Sequence, residues 1–337
     1  MYTLKKFFLA ALLICAISEP VFAQGKNILQ VEGTGFVMNN EPFEYTGVSF
    51  FNALYNKEFT KDSETRRKWI RAFKETGINV LRVWCQWDNA NRFIDAGEGK
   101  TLYHDDGSLK PELVSRLHHI LTDADAEGTV ILLVLFSRES WKNNLRLSDE
   151  ASNKAVTNLS KELLEHRNLV FQVWNEYDYR AIDYLKLIKS VDPERLVTNS
   201  PGYSGNLGTD EENRVMDFLS PHTTRDDNRH WEIASEEIGS LLARYRKPVV
   251  DDEPARKGTP KFGGPKSPTS PNNHILHMYN IWKAGGYVIY HHDMFQTGYG
   301  SEAVPENGIP APGFSAYHDQ VYDFLSSKQR YLKLLRK

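Results

Sequence analysis

Val130-Ile131-Leu132-Leu133-Val134-Leu135-Phe136 is an unbroken apolar run. Seven such residues cannot alternate between core and water. As a strand they must be covered on both faces, the condition of a strand in a parallel sheet clad in helices. Upstream, residues 111–128 have Leu113, Leu117, Ile120 and Leu121 on one helical face, with Pro111 at a favoured first-turn position. Before that lies residues 79–84, apolar and β-rich except for Arg82. It follows a helical pattern over residues 63–76, where Trp69, Ile70 and Phe73 share a face and Gly77 is the stop.

Downstream the alternation continues. A helix over residues 149–166 precedes a strand at 169–174, and a helix at 181–191 ends before Pro193. Residues 196–199 and 215–219 are shorter strand candidates, followed by a helix over 231–245. Pro248-Val249-Val250 begins another strand, residues 272–284 form a helix stopped by Gly285-Gly286, 287–290 are the last strand and 317–335 the last helix. With a first strand at 45–50, after a small hairpin over 36–43, the strand candidates number eight. That alternation predicts an α/β chain, a closed (β/α)₈ TIM barrel forming a single catalytic domain over residues 24–337. An open doubly wound sheet is the competitor, since periodicity does not report closure, but no phosphate-binding glycine pattern follows the first strand. The stretch 257–273, rich in Gly, Pro, Ser and Lys, reads as a long loop on the active face.

Residues 1–23 read as an export signal. Lys5 and Lys6 precede an apolar run over residues 7–17, too short to span a bilayer, and Val21-Phe22-Ala23 suits cleavage after Ala23. The bulky Ile14 before Cys15 argues against lipid modification. A secreted or periplasmic protein is expected, with no membrane span after cleavage. Only Cys85 then remains, which excludes an intramolecular disulfide and a cysteine metal cluster. A net charge of −3 with scattered basic residues gives no nucleic-acid footprint. A monomer is expected.

In a barrel, chemistry belongs at the C-terminal ends of the strands. Two glutamates fall there, Glu176 in Phe171-Gln172-Val173-Trp174-Asn175-Glu176 and Glu253 in Lys247-Pro248-Val249-Val250-Asp251-Asp252-Glu253. Cleaving a glycosidic bond needs one carboxylic acid to protonate the leaving oxygen and one carboxylate to attack the anomeric carbon. The two must differ in pKa, and an ionised nucleophile raises its neighbour's. Arg82, at the end of the second strand, is the candidate cation that holds the nucleophile ionised. Strand alternation puts Asp251 on the face of Glu253, as a buried partner for Arg82 or another cation, and Asp252 on the other.

Asn-Glu at the fourth strand end and Glu at the seventh resemble clan A glycoside hydrolases, and within them the family-five cellulases and β-mannanases. The likeness extends from the opening hairpin through Gly77-Ile78-Asn79-Val80-Leu81-Arg82-Val83-Trp84 to Glu253. The resemblance implies Glu176 as acid/base, Glu253 as nucleophile, Asn175 on the sugar 2-hydroxyl, Arg82 in support, and retention of anomeric configuration. There are departures. Phe136-Ser137 stand where the family often has a histidine. His222-Thr223-Thr224 keep the histidine of a His-x-Tyr pattern but not the tyrosine. Tyr290-His291-His292 stand where a tryptophan is common.

Around this pair, Trp84, Trp174, Trp231, Tyr290, His222 and His291 are candidate substrate contacts, with Trp87 and Trp141 on the same predicted face. Aromatic rings stack on sugar faces, but any single tryptophan serves equally well as core filling, as Trp69 and Trp282 do within helices. No metal or cofactor is expected. His291-His292-Asp293 point alternately along a strand and make poor joint ligands, and His118-His119 sit on a helix surface. His-Glu-x-x-His and Gly-x-Ser-x-Gly patterns are absent from the sequence. The leading expectation is a secreted retaining glycosidase acting on a β-linked glycan of mannan or glucan type. The alternative is a carbohydrate-binding barrel that has lost catalysis. A weaker third is a barrel acting on uronic acids, which extra cleft cations such as Arg225 or Arg256 would favour.

Overall fold

The computed structural model describes residues 26–87, 100–254, 270–292, 306–313 and 315–335. Residues 1–23, expected to direct export, and Arg256, Asp293 and most of the 257–273 loop lie outside them. The described chain begins with an antiparallel meander of β1 (Leu29–Glu32), β2 (Gly35–Met38) and β3 (Glu41–Pro42). There follow β4 (Thr46–Ser49), α1 (Ser63–Glu75), β5 (Val80–Trp84), a short antiparallel pair of β6 (Gln86–Trp87) and β7 (Lys100–Thr101), α2 (Pro111–Ala126) and β8 (Val130–Ser137). Next come α3 (Arg138–Asn143), α4 (Asp149–Glu162), β9 (Leu169–Asn175), α5 (Ala181–Val191), β10 (Val197–Thr198), α6 (Asp210–Val215) and α7 (His230–Tyr245). The rest is β11 (Val250–Asp251), α8 (Pro271–Lys283), β12 (Tyr287–Tyr290), α9 (Ala316–Ser326) and α10 (Lys328–Leu335).

One parallel sheet runs in the order β10-β9-β8-β5-β4-β12-β11. Residues 217–219 join its two edges. The Asp217 N–H donates to the Val197 carbonyl at 3.0 Å, the Leu219 N–H to that of Pro248 at 3.0 Å, and the Val250 N–H to that of Leu219 at 2.8 Å. The sixth strand is therefore a single parallel bridge, Leu219 to Val249, and the ring closes as a (β/α)₈ barrel. It starts later than the expected 215–219, because α6 runs to Val215 and its capping turn uses the next residue. The expected helix over 317–335 is two, divided at Ser327, the C-cap of α9.

Local signals explain the element bounds. Asp62 caps α1 by accepting from the Thr65 N–H, and Gly77 ends it with φ of 81°, a left-handed position. Ser148 and Ser315 cap α4 and α9 in the same way. Packing then sorts the strand residues by face. Val80, Val130, Leu132, Val170, Phe218, Val250 and Ile289 fill the lower barrel interior, and Phe36 of β2 and Phe43 just after β3 plug it. Alternate residues, among them Leu81, Ile131, Leu133, Phe171, Val249 and Val288, meet Ile70, Leu117, Leu159, Ile188, Ile238 and Ile281 of the helices. All eight residues of β8 are buried, as a strand covered on both faces requires. What remains inside the barrel, above the apolar plug, is polar.

Candidate active site

Arg82 stands at the centre of that polar layer, with 0% of its surface exposed. Its Nε donates to Gln172 Oε1 at 2.8 Å, and its Nη2 to Asn175 Oδ1 at 2.6 Å and Asp252 Oδ2 at 3.0 Å. Its Nη1 reaches the Asp252 carbonyl at 3.2 Å and Glu253 Oε1 at 3.3 Å. One planar fork thus fixes the ends of β9 and β11 together, a task the compact ammonium of lysine could not perform.

Glu176 follows β9 directly and has φ of 60°, a conformation that residues with a side chain seldom adopt. The turn is held by the Tyr177 N–H on the Ser200 carbonyl at 3.1 Å and by Asn199 Nδ2 on the Tyr177 carbonyl at 2.9 Å. Such imposed strain is a mark of functional positions. Across the mouth, β11 ends at Asp251 and the chain turns, with the Glu253 N–H donating to Asp251 Oδ1 at 3.1 Å.

Strand alternation stops with the strand, which corrects the expected partner of Arg82. Asp252 pairs with Arg82 and lies 2.9 Å from His222 Nε2, while Asp251 turns to Thr223 and to His277 Nε2 at 3.3 Å.

Arg225 joins the two glutamates. Its Nη2 is 3.0 Å from Glu176 Oε1 and its Nη1 is 2.9 Å from Glu253 Oε2. His222 lies between the same groups, with Nδ1 3.4 Å from Glu176 Oε1 and Nε2 3.7 Å from Glu253 Oε1. Oxygens of Glu176 and Glu253 and a nitrogen of His222 all lie within 4.8 Å of one another. That approach is closer than the about 6.5–9.5 Å that inverting sites leave for a water, and it suits direct attack by the second carboxylate.

Charge balance sets the protonation states. Burial lowers the affinity of His222 for a proton, but Glu253 and Asp252 more than reverse this, raising its pKa to about 9. Burial pushes Glu253 up, yet His222, His291, Arg225 and Arg82 together hold it well below the usual carboxylate range. Burial and then the charge of Glu253 raise Glu176, while His222 and Arg225 leave it below its ordinary value, though less far. Glu253 is therefore the better anion of the pair, and Glu176 the one that protonates first as pH falls.

The structure brings Glu176, Glu253, Asn175, Arg82, His222 and His291 into one cluster. His291 contributes Nε2 at 3.6 Å from Glu253 Oε2, with its Nδ1 3.1 Å from Ser49 Oγ. Other expected contacts lie elsewhere. Trp84 stacks on Phe51 at 4.5 Å with Arg82 4.6 Å from its ring, and forms a covered floor to the cluster. Trp174 is wholly buried among Phe136, Trp141, Tyr177 and Tyr184, so it offers no open face for a sugar.

Tyr290 also faces away, bonding His318 and packing on Tyr322 of α9, because its neighbour His291 takes the inward side of the strand. Trp231 lies in the first turn of α7 against His230. Sequence reasoning had no role for Gln172 or Asp252, and valued Arg225 only as a cleft cation. Its position three residues after His222, on the loop leaving the sixth strand, was the available signal.

Comparison with known proteins agrees with this geometry. Residues 37–228 match the cellulase model, glycosyl hydrolase family 5. No curated protein matches the chain. Among solved structures, a Bacteroides vulgatus protein assigned as a glycoside hydrolase is 17% identical with a TM-score of 0.69, covering 93% of this chain and 62% of its own. A β-1,4-D-mannanase of Cryptopygus antarcticus is 15% identical, TM-score 0.57, with 90% and 94% covered. An endo-1,4-β-mannanase of Rhizomucor miehei is 11% identical, TM-score 0.59, with 92% and 99% covered. The chain thus spans less than two thirds of the first of these and nearly all of the other two. At these identities the similarity speaks for the barrel.

Proposed function

The chain belongs to the cellulase family, glycosyl hydrolase family 5, a clan A family of retaining O-glycosyl hydrolases, and from that premise we propose that it cleaves a β-linked glycan of mannan type. The observation that carries the mechanism is the approach of Glu176 and Glu253 oxygens within 4.8 Å. Glu253 attacks the anomeric carbon, and Glu176 gives its proton to the leaving oxygen. Water, deprotonated by Glu176, then opens the glycosyl-enzyme.

Arg82 and His222 keep Glu253 ionised and aimed, and Arg82 occupies Asn175 Oδ1, which leaves the Asn175 amide hydrogens for the sugar 2-hydroxyl. Arg225 bridges the carboxylates in the resting site. A sugar seated between them displaces Nη2 from Glu176, and losing that cation raises the pKa of the acid when it must hold a proton. The mannan assignment rests on the mannanases among the similar structures. The apolar N-terminal segment supports export, and the protein acts as a monomer in this reading.

A binding barrel without turnover is the rival reading, and the Arg225 bridge favours it, since an acid held by a guanidinium is a poor proton donor. Hydrolysis of a panel of soluble β-mannans and β-glucans by the parent, Glu176→Gln and Glu253→Gln separates the two. Activity on a mannan that falls at least about 10³-fold in both variants supports the proposal. Binding of a glycan with no hydrolysis by the parent sinks it.

A further inference from the structure

Away from the mouth, α2 meets the turn between α4 and β9 along a groove of about 1000 Å³ lined by His118, Glu162 and Glu165. Three ligand atoms converge there. His118 Nδ1 is 2.9 Å from His166 Nε2, and Glu165 Oε1 is 3.8 Å from the first and 3.6 Å from the second. We propose that His118, Glu165 and His166 form a zinc site that ties α2 to the α4–β9 turn.

The argument is geometric. A point equidistant from those three atoms lies about 2 Å from each, the length of a zinc bond to imidazole nitrogen or carboxylate oxygen. Two imidazoles and a carboxylate are a donor set that borderline-soft Zn²⁺ accepts, whereas Mg²⁺ and Ca²⁺ prefer oxygen alone. The outer shell is also in place. His118 Nε2 is 3.1 Å from Glu162 Oε1, so the nitrogen that would not ligate donates to a carboxylate. That hydrogen bond fixes the tautomer which presents a lone pair at Nδ1.

The ligands come from separate elements. His118 lies mid-way along α2, whereas Glu165 and His166 follow the end of α4. His166 is buried, while His118 and Glu165 are part-exposed, which leaves the groove side for a water as fourth ligand. Lys161 and Arg167 line the same groove, and Arg167 is drawn off by Asp192 at 3.1 Å. Metal-free, the His118–His166 contact is a single N–H···N bond. Zinc would replace that single bond, with the His166 proton carried on Nδ1 instead, by three bonds between segments that Asn168 Nδ2 already links by donating to the Leu121 carbonyl at 3.0 Å. The role is a structural staple, separate from glycan hydrolysis.

The test is a titration of chelator-stripped protein with ZnCl₂ by calorimetry, with Tm followed in parallel. One Zn²⁺ per chain is expected, with Tm rising as zinc is added. His118→Gln and His166→Gln lose both effects while keeping the parent's circular dichroism. Glu162→Gln weakens affinity about 10- to 100-fold. Because the mouth also gathers Glu176, His222 and Glu253, a Glu176→Gln/Glu253→Gln variant must bind zinc as the parent does. Co²⁺ in the parent should give tetrahedral visible bands, whatever the fate of the variants. No one-to-one binding, equal binding by the two histidine variants, or loss of zinc in the glutamate variant each overturns the proposal.

Discussion

His222 and His274 are equally buried, each with 0% of its surface exposed, yet one is held protonated and the other neutral. His222 sits in the barrel mouth among Glu176, Asp252 and Glu253. His274 sits on the helix side of the sheet, where α8 and α9 pack on β12, beside Tyr290, Tyr317 and His292. Burial drives its pKa, and that of His318, well below the ordinary histidine value, with nearby histidines adding to the effect. A carboxylate, Asp251, reaches the edge of this layer at His277. Burial alone therefore does not set a protonation state. In the mouth the buried charges pair with one another around the two glutamates, while in the helix layer His274 and His318 are neutral, hydrogen-bonded packing elements.

The comparison breaks most forcefully at Arg82. Arg82→Met leaves Asp252 and Glu253 short of a buried cation and should cost about 3–5 kcal/mol in urea unfolding, together with most of the hydrolytic activity. If stability barely changes, the mouth is not a balanced charge cluster. The pH dependence comes next and runs in opposite directions for the two kinds of buried histidine. His222, raised from 6.5 to about 9, adds stability that is full below about 6.5 and lost as pH rises through about 9. His274 and His318, lowered by burial, add stability that is full above about 6.5 and lost as pH falls below it, where the unfolded chain takes up protons the folded one refuses.

Asp252→Asn should pull the imidazole titration of His222, followed by NMR, below about 9 and leave the acid limb of stability in place. An unmoved titration would remove Asp252 from the account. Smallest is Tyr290→Phe, which deletes the hydroxyl bonded to His318 and should cost about 0.5–1.5 kcal/mol in Tm measurements, with kcat/KM unchanged. A large loss of kcat/KM there would restore Tyr290 to the substrate.

The same contrast explains what could be read from residues alone. Helices such as 181–191 and the strand at 130–136 were legible because their signals are local, a periodicity and its stops. The family pattern singled out Glu176, Glu253, Asn175 and Arg82, and the fold brings them together. The sixth strand was blurred because one bridge at Leu219 leaves almost no pattern. Trp174 and Tyr290 were misplaced because nearness to a strand end does not tell which face a ring takes. Alternation favoured Asp251 over Asp252, but the strand had already ended. Arg225 needs the third dimension, since its partners lie 49 and 28 residues away in the chain.

The ring has one more consequence, in the order of synthesis. Thr46, Gly47 and Val48 pair with Val288, Ile289 and Tyr290, so the first barrel strand hydrogen-bonds the last. A side chain on Gly47 would lie 2.8 Å from Ile289, so the final strand enters a slot shaped long before it arrives. At about 5–20 residues per second, a ribosome needs roughly 10–50 s between the two. Through that interval β4 carries an open edge, the kind of surface that neighbouring chains pair with. Lys328, which bonds the Glu44 and Tyr45 carbonyls at 3.1 and 3.2 Å, follows later still and latches the seam once it has closed.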